Sequence, residues 1–305
     1  MIPLKHLLRS FVFATGLVAL GPVHAQLESE IVTRFSGLGK GLDPLTVRFS
    51  PTDARFALAR DGKKNVIVDL KEELMLEPGR GEMLQWVGDR ILVAKEGRYS
   101  LLEPGGSDAV AIESAQPSIH AKPYALQGRG KSARVVDTAT GKTIYKPGFG
   151  KGIYGLEISG NAERLLVYRG DADYVAIDRE TKKKIPLPSG PDPENKEWLF
   201  SSWKWDADGQ HVIGTVAFPV PGPEGREGGL SGKTDIYLYH LETKRLQKIN
   251  LPSELRNKNV EVLDAGLDGK LFVRVWVESP EYRSEGAWVL RILPHRPETA
   301  AVPGP

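Results

Sequence analysis

The sequence predicts an all-β fold built from repeated units, and three features of the chain support this prediction. Strands that end in a polar turn recur at near-regular intervals. Helical periodicity of 3.6 residues is nearly absent after residue 25. Segments rich in proline and glycine separate the strands and carry turn chemistry. The polar residues that end the repeated strands are Asp69, Glu103, Asp137, Asp178 and His240.

These positions are 34, 34, 41 and 62 residues apart, and the wider gaps contain Pro/Gly-rich inserts at 186–193 and 219–233. A sixth unit ends in the strand 287–292. Each unit opens with a turn cluster and an apolar run, as at 49–59. Units of about 34 to 50 residues with three or four strands are typical of propeller blades. We therefore predict a β-propeller of six blades over residues 45–293.

The third unit has the weakest signal, because residues 118–126 lack the opening turn cluster and are assigned by their interval alone. Helical character is confined to two short segments, 71–76 and 253–257. Helical bundles and α/β folds are therefore poorly supported.

Residues 1–25 have the three-part layout of a secretory signal peptide. Lys5 and Arg9 precede an apolar run at 11–20, and small residues precede a cleavage point after Ala25. The apolar run is too short to cross a bilayer, which needs about 20 residues. We expect cleavage before Gln26, a periplasmic or secreted protein, and no membrane insertion afterwards.

The two ends of the mature chain are expected to differ. In the N-terminal segment 26–44, Ile31 to Phe35 is a candidate strand that pairs with the last blade and closes the ring. The tail 294–305 is rich in proline and alanine and is expected to be disordered.

Composition excludes several classes of partner. Without Lys5 and Arg9, 39 basic and 39 acidic residues remain, so the mature chain has no global field that would attract nucleic acid or an anionic membrane. The chain has no cysteine, so neither disulfides nor thiolate metal ligands contribute. The expected partner is a protein or peptide of the cell envelope.

Two units carry the strand-turn motif of a known propeller group. They read Phe49-Ser-Pro-Thr-Asp-Ala-Arg-Phe-Ala-Leu and Trp205-Asp-Ala-Asp-Gly-Gln-His-Val-Ile. The chain thus resembles the TolB-like and wider WD40-like periplasmic β-propellers in their propeller part. The resemblance implies a propeller over roughly Leu45 to Leu293. The α/β domain that precedes the propeller in TolB has no counterpart in 26–44, so the resemblance implies the fold and not the TolB function.

No catalytic or metal-binding signature is found, and no cofactor is predicted. The mature chain has four histidines, none at a metal-ligand spacing from another: His120, His211, His240 and His295. The segment 206–209, Asp-Ala-Asp-Gly, begins like a calcium loop but lacks its later ligands and is predicted to be a turn. The segment 228–234 resembles a phosphate loop, but it lacks the first glycine and precedes a strand.

The candidate binding site is the central channel, because the first strand of each blade lies nearest to it. The polar residues on these strands are Arg48, Gln85, Glu157 and Lys204, with His120 as a weaker candidate. This ring either holds a polar ligand or a peptide end, or is a water-filled channel with internal ion pairs. Trp203, within the cluster Trp198 to Trp205, either packs in the core or stacks on a ligand.

These observations favour a non-catalytic scaffold that binds a protein or peptide, and the long insert 219–233 is a second candidate for binding. One alternative is a propeller enzyme of the lactonase or glycan-cleaving type. It requires several carboxylates at the channel, where Glu157 is the clearest candidate and Glu261 and Asp264 are less securely placed. Another alternative is a sensor of glycans or small molecules that uses the tryptophan cluster.

Overall fold

The structure is a computed structural model. It describes residues 26–38, 41–43, 46–77, 83–95, 98–106, 109–112, 124–128, 130–148, 151–160, 163–194, 198–219, 230–256, 258–277 and 283–294. The predicted signal peptide, His120 and the tail from residue 295 lie outside the described residues.

The described residues form antiparallel groups of strands that follow one another along the chain. Group 1 contains β2 (Arg48–Phe49), β3 (Phe56–Asp61), β4 (Lys64–Asp69) and β5 (Leu74–Leu76). Group 2 contains β6 (Met83–Val87), β7 (Arg90–Lys95), β8 (Arg98–Leu102) and β9 (Ala109–Ile112). Group 3 contains β10 (Tyr124–Gln127), β11 (Arg134–Asp137) and β12 (Thr143–Tyr145). Group 4 contains β13 (Gly155–Ile158), β14 (Arg164–Tyr168), β15 (Tyr174–Asp178) and β16 (Lys184–Pro186).

The remaining strands form one eight-stranded sheet made of two such groups. Group 5 contains β17 (Leu199–Trp205), β18 (His211–Pro219), β19 (Leu230–His240) and β20 (Leu246–Asn250). Group 6 contains β21 (Asn259–Ala265), β22 (Lys270–Val277), β23 (Arg283–Ile292) and the N-terminal strand β1 (Leu27–Phe35). Short 3₁₀ turns span Ser253–Leu255 and Leu267–Gly269. The segment 71–76, which has helical character in the sequence, forms a turn and the strand β5.

The strand β1 comes from the N-terminal segment and completes group 6. It runs antiparallel to β23, with Ile31 opposite Leu290 and Phe35 opposite Ala287. At its start it also pairs in parallel with β20, through Leu27 and Ile249. Chain segments from both ends of the sequence are therefore hydrogen-bonded in one sheet, which covers an edge that would otherwise be exposed.

The regular sequence repeat has a local physical cause. At the end of β11, the Asp137 carboxylate accepts hydrogen bonds from the backbone N–H groups of Ala139 and Thr140. Asp178 at the end of β15 accepts from Thr181 in the same way. In group 5 the ring of His240 does the same, because its Nδ1 accepts from Glu242 and Thr243. These side chains cap the tight turn that leads to the next strand.

The hydrophobic core is divided into clusters that lie between neighbouring groups, which is the packing of a β-propeller. Each of the five clusters found among the described residues joins two groups. Each cluster contains residues from both sides of its interface. Examples are Val135 and Leu165 between groups 3 and 4, Ile185 and Trp203 between groups 4 and 5, Ile236 and Val262 between groups 5 and 6, Phe272 and Phe49 between groups 6 and 1, and Leu58 and Ile91 between groups 1 and 2. The chain is thus an all-β propeller. Within the described ranges, no helix is long and apolar enough to cross a membrane.

Candidate functional site

The candidate site is a cavity of about 1080 Å³ at the ends of the first strands of all six groups. Its size exceeds that of a typical small-molecule pocket. The lining residues are Arg48 to Pro51 in group 1, Trp86 in group 2, Tyr124 to Leu126 and Thr138 in group 3, Leu156 to Gly160 in group 4, Trp205 to Ala207 in group 5, and Asp264 to Leu267 in group 6. The cavity is therefore the central channel of the propeller.

The charged side chains lie on one side of this cavity, on the consecutive groups 4, 5, 6 and 1. Glu157 in group 4 and Lys204 in group 5 form a direct ion pair, with side chains 28% and 13% exposed. Asp264 in group 6 accepts a hydrogen bond from the backbone N–H of Phe49 in group 1, at 2.7 Å. Arg48 lies beside this bond, and its Nη1 donates to the carbonyl oxygen of Val47 at 2.5 Å. We call this set the charged arc: Glu157, Lys204, Asp206, Asp264 and Arg48.

The two aspartates of the charged arc have pKa values above the ordinary value for this side chain. Burial raises the pKa of Asp264 to about 6, and the positive charge of Arg48 opposes this shift. Burial, together with the nearby charge of Asp208, also raises the pKa of Asp206 to about 6. A raised carboxylate pKa shows that the fold does not fully compensate the negative charge. Such groups in a cavity are candidates for function.

The turn between β17 and β18 contains the residues best placed to hold a cation. Ligand atoms of Asp206, Asp208 and His211 lie within 4.8 Å of one another. His211 Nδ1 lies 2.5 Å from Asp208 Oδ2, and this hydrogen bond raises the pKa of the imidazole. Burial of Asp208 opposes its ionisation, but its bonds with His211 and Gln210 lower the pKa of this carboxyl to about 2. His211 and Asp208 therefore form a direct pair within this turn.

The opposite side of the cavity, in groups 2 and 3, is aromatic and apolar. We call it the aromatic arc, and it consists of Trp86, Tyr124, Ala125 and Leu126. The indole N–H of Trp86 donates to the carbonyl oxygen of Arg48 at 3.0 Å, which ties this arc to group 1. Within the described part of the chain, the hydroxyl of Tyr124 has no hydrogen-bond partner, and neither has the indole N–H of Trp205.

The structure brings three of the sequence candidates together and leaves the others apart. Arg48 and Glu157 line the cavity, and Lys204 pairs with Glu157. Gln85 is half-buried and does not line the cavity, whereas its neighbour Trp86 does. His120 lies outside the described residues.

The tryptophan cluster belongs mainly to the core. Trp203 is 2% exposed, and its ring lies 4.1 Å from that of Phe200 and 6.0 Å from that of Tyr239. It therefore offers no free face to a ligand, which removes the stacking interpretation for this residue. Trp205 lines the cavity, and Trp198 is 39% exposed.

Of the two less securely placed acids, only one reaches the channel. Glu261 forms an ion pair with Arg274 at 2.5 Å and does not line the cavity. Asp264 lies after a register shift in β21, between Val262 and Asp264, which leaves Leu263 as an extra residue. A β-bulge of this kind changes which side chain faces the channel. Simple alternation along the strand does not reveal it.

The sequence pattern predicts only a turn at Asp206, although this residue stands at the position of Ser50 and Ser159 in the equivalent turns. Those serine hydroxyls accept backbone N–H groups of their own turns, from Asp53 and Arg164. The sequence feature that distinguishes Asp206 as a candidate site residue is therefore the replacement of a serine by an acid in an otherwise repeated turn.

Comparison with known proteins gives fold-level similarity only. No protein-family model matches the chain, and no curated protein matches it. Among solved structures, the β-propeller domain of Cps50 (Swd1) from Myceliophteria thermophila has 12% identity and a TM-score of 0.36, covering 77% of this chain and 79% of that one. The tricorn protease has 14% identity and a TM-score of 0.33, covering 80% of this chain and 24% of that one. Such TM-scores provide no residue-by-residue correspondence, so the site is assigned from its own contacts.

Proposed function

We propose that this protein is an exported, periplasmic six-bladed propeller that binds a peptide or a segment of a protein at its channel. The observation that carries the proposal is a cavity to which the first strand of every group contributes, with a charged arc facing an aromatic arc. A peptide offers charges, carbonyl acceptors and apolar side chains in one ligand. The signal peptide motivates the location, and the division of the strands into six antiparallel groups motivates the blade count.

The cavity chemistry favours binding over catalysis. Glu157 is neutralised by Lys204, so it is not a free base. The part of the cavity that the structure describes contains no histidine, and therefore no hydroxyl–imidazole pair for nucleophilic attack.

The proposal is tested by purifying the tagged protein from its own cell envelope and identifying bound chains by mass spectrometry. Two double variants remove matched, partly buried ion pairs. Glu157→Gln with Lys204→Gln removes the pair at the cavity, and Asp235→Asn with Lys248→Gln removes a pair elsewhere in group 5. We expect a stoichiometric peptide or protein with wild type and with the control, and its loss with the cavity variant. Equal recovery with all three proteins would place binding outside the channel.

A second candidate function is supported by one observation. Asp206 and Asp264, with pKa values of about 6, provide acids that a propeller hydrolase needs for proton transfer. Lactone and glycoside substrates can be screened with wild type and with Asp264→Asn. Turnover that falls at least 100-fold in the variant, with a pH profile bending near 6, would favour the enzyme over the scaffold.

A further inference from the structure

We propose that the channel binds its ligand through an ammonium group, which Asp264 receives with Asp206 as a second carboxylate on the same side. This inference deepens the proposed function by naming the chemistry of the ligand. A peptide carries an ammonium group at two kinds of position, the free N-terminus and the lysine side chain.

The charges of the arc do not cancel within the protein. The carboxylate of Glu157 is paired with Lys204, the charge of Arg48 acts on Asp264, and Asp206 lies near Asp208 and His211. Within the described chain, no ion pair closer than 4.0 Å involves Arg48, Asp206 or Asp264. One negative charge remains in excess, and a cation from outside would compensate it. A partly buried carboxylate without a cation is costly to the fold, so a cationic ligand gains binding free energy here.

The carboxylate of Asp264 is held in place for such a contact. Its Oδ2 accepts the N–H of Phe49 across the interface of groups 6 and 1, and this bond fixes the orientation of the carboxylate. The guanidinium of Arg48 is turned toward the carbonyl of Val47 instead of forming an ion pair with Asp264. The remaining oxygen of Asp264 is thus available to a ligand in the cavity. The raised pKa of this group agrees with an incompletely compensated charge.

The surroundings suit an organic ammonium group. The carboxylates of Asp206 and Asp264 belong to neighbouring groups, whose first strands β17 and β21 pack against each other. Across the cavity, the half-buried ring of Trp86 provides a π face and apolar area for the carbon chain that carries the ammonium group. A bare metal ion would make no use of this aromatic arc.

The test is calorimetric titration of the purified protein with four probes. These are a neutral tetrapeptide amide with a free N-terminus, its N-acetylated form, an N-acetylated form containing one lysine, and lysine amide alone. The proteins are wild type, Asp264→Asn, Asp206→Asn and the control Asp268→Asn, whose side chain is 73% exposed and lies outside the cavity. The asparagine at 264 retains an oxygen for Phe49 N–H, and thermal unfolding verifies that each variant is folded.

We expect at least 10-fold tighter binding of the ammonium-bearing probes than of the neutral acetylated peptide. Asp264→Asn should abolish this preference, Asp206→Asn should reduce it about 3-fold or more, and Asp268→Asn should leave it unchanged. The N-terminal and lysine probes separate the two sources of the ammonium group. Lowering the pH from 7.5 to 5 should weaken wild-type binding on the order of 10-fold, because protonation of Asp264 removes its charge in the presence of Arg48, Glu157, Lys204 and Asp206.

The outcomes separate the two proposals. Equal binding of acetylated and free peptides, unchanged by Asp264→Asn, would overturn the ammonium inference and leave peptide binding intact. Binding of lysine amide that depends on Asp264, with no affinity for any peptide, would support the inference and overturn peptide binding. If no probe binds to the folded wild-type protein, both proposals fail.

Discussion

The aspartates that cap the turns after β11 and β15 and the aspartates in the channel have opposite electrostatic properties. In the turns, the carboxyls of Asp137 and Asp178 accept local N–H and hydroxyl groups, and these bonds hold their pKa below the ordinary value. In the channel, burial raises the pKa of Asp206 and Asp264 to about 6. The same side chain therefore stabilises the propeller in one region and costs stability in the other. The carboxylates that cap turns accept several hydrogen bonds from nearby groups. The buried carboxylates of the channel have fewer such bonds and remain available to a ligand.

The largest effect is expected where a turn aspartate is also an ion-pair partner. The carboxylate of Asp69 is 5% exposed, and its Oδ2 lies 2.5 Å from Nη2 of Arg55 while Oδ1 accepts the N–H of Lys71. Asp69→Asn should lower the free energy of unfolding by about 2 kcal/mol at pH 7, because the buried acceptor of the turn N–H groups loses its charge and Arg55 keeps only Glu72, at 3.8 Å, as an acidic partner. Urea denaturation measures this. A loss below about 0.5 kcal/mol would show that the turn does not depend on this charge.

The channel variant Asp264→Asn should change stability in the opposite direction. The folded pKa of about 6 lies above the ordinary value of 3.8, so its contribution to stability is present below pH 4 and is lost as the pH rises through 6. The shift corresponds to about 3 kcal/mol, reduced to about 1–2 kcal/mol because the carboxylate faces a hydrated cavity. The variant should therefore be more stable than wild type at pH 7.5 and equal to it at pH 3.5. A destabilised variant at pH 7.5 would contradict the comparison.

A turn aspartate with a longer ion pair should have an intermediate effect, as for Asp178, whose Oδ2 lies 3.7 Å from Nε of Arg164. Asp178→Ala removes the acceptor for the N–H and hydroxyl of Thr181 and should cost about 1 kcal/mol at pH 7. Because the folded pKa of Asp178 is lowered, its contribution is present above the ordinary pKa and is lost as the pH falls through the folded value. The difference between variant and wild type should therefore shrink below pH 4. A difference that stays constant with pH would assign the effect to the backbone.

The smallest effect is expected where the turn already uses another acceptor. His240→Asp places a carboxylate where the imidazole Nδ1 accepts the N–H groups of Glu242 and Thr243. The free energy of unfolding should change by less than about 0.5 kcal/mol, because the two backbone donors keep an acceptor. His240→Leu serves as the control without an acceptor and should cost more. Equal stability of both variants would show that the cap is not needed in this turn.

The repeat could be predicted from sequence because its chemistry is local. Asp137 and Asp178 bond to residues two or three positions ahead, so their turns are encoded by neighbouring residues. The candidates Arg48, Glu157 and Lys204 were identified by the same reasoning, from their place on the first strand of a unit. Gln85 shows the limit of this approach, since the adjacent Trp86 lines the cavity instead. Blade count, export and location remain predictions.

The sequence by itself determined the strands, their turns and the all-β repeat class, because hydrogen bonds within a few residues depend only on nearby side chains. Only the tertiary structure decided how the charges of the channel combine. Lys204 meets Glu157 across 47 residues, and Asp264 reaches the backbone of Phe49 across 215. Closing the ring sets these distances, and the extra residue at Leu263 precedes Asp264 at the cavity. Electrostatic compensation depends on distance and burial, which no local pattern in a chain specifies.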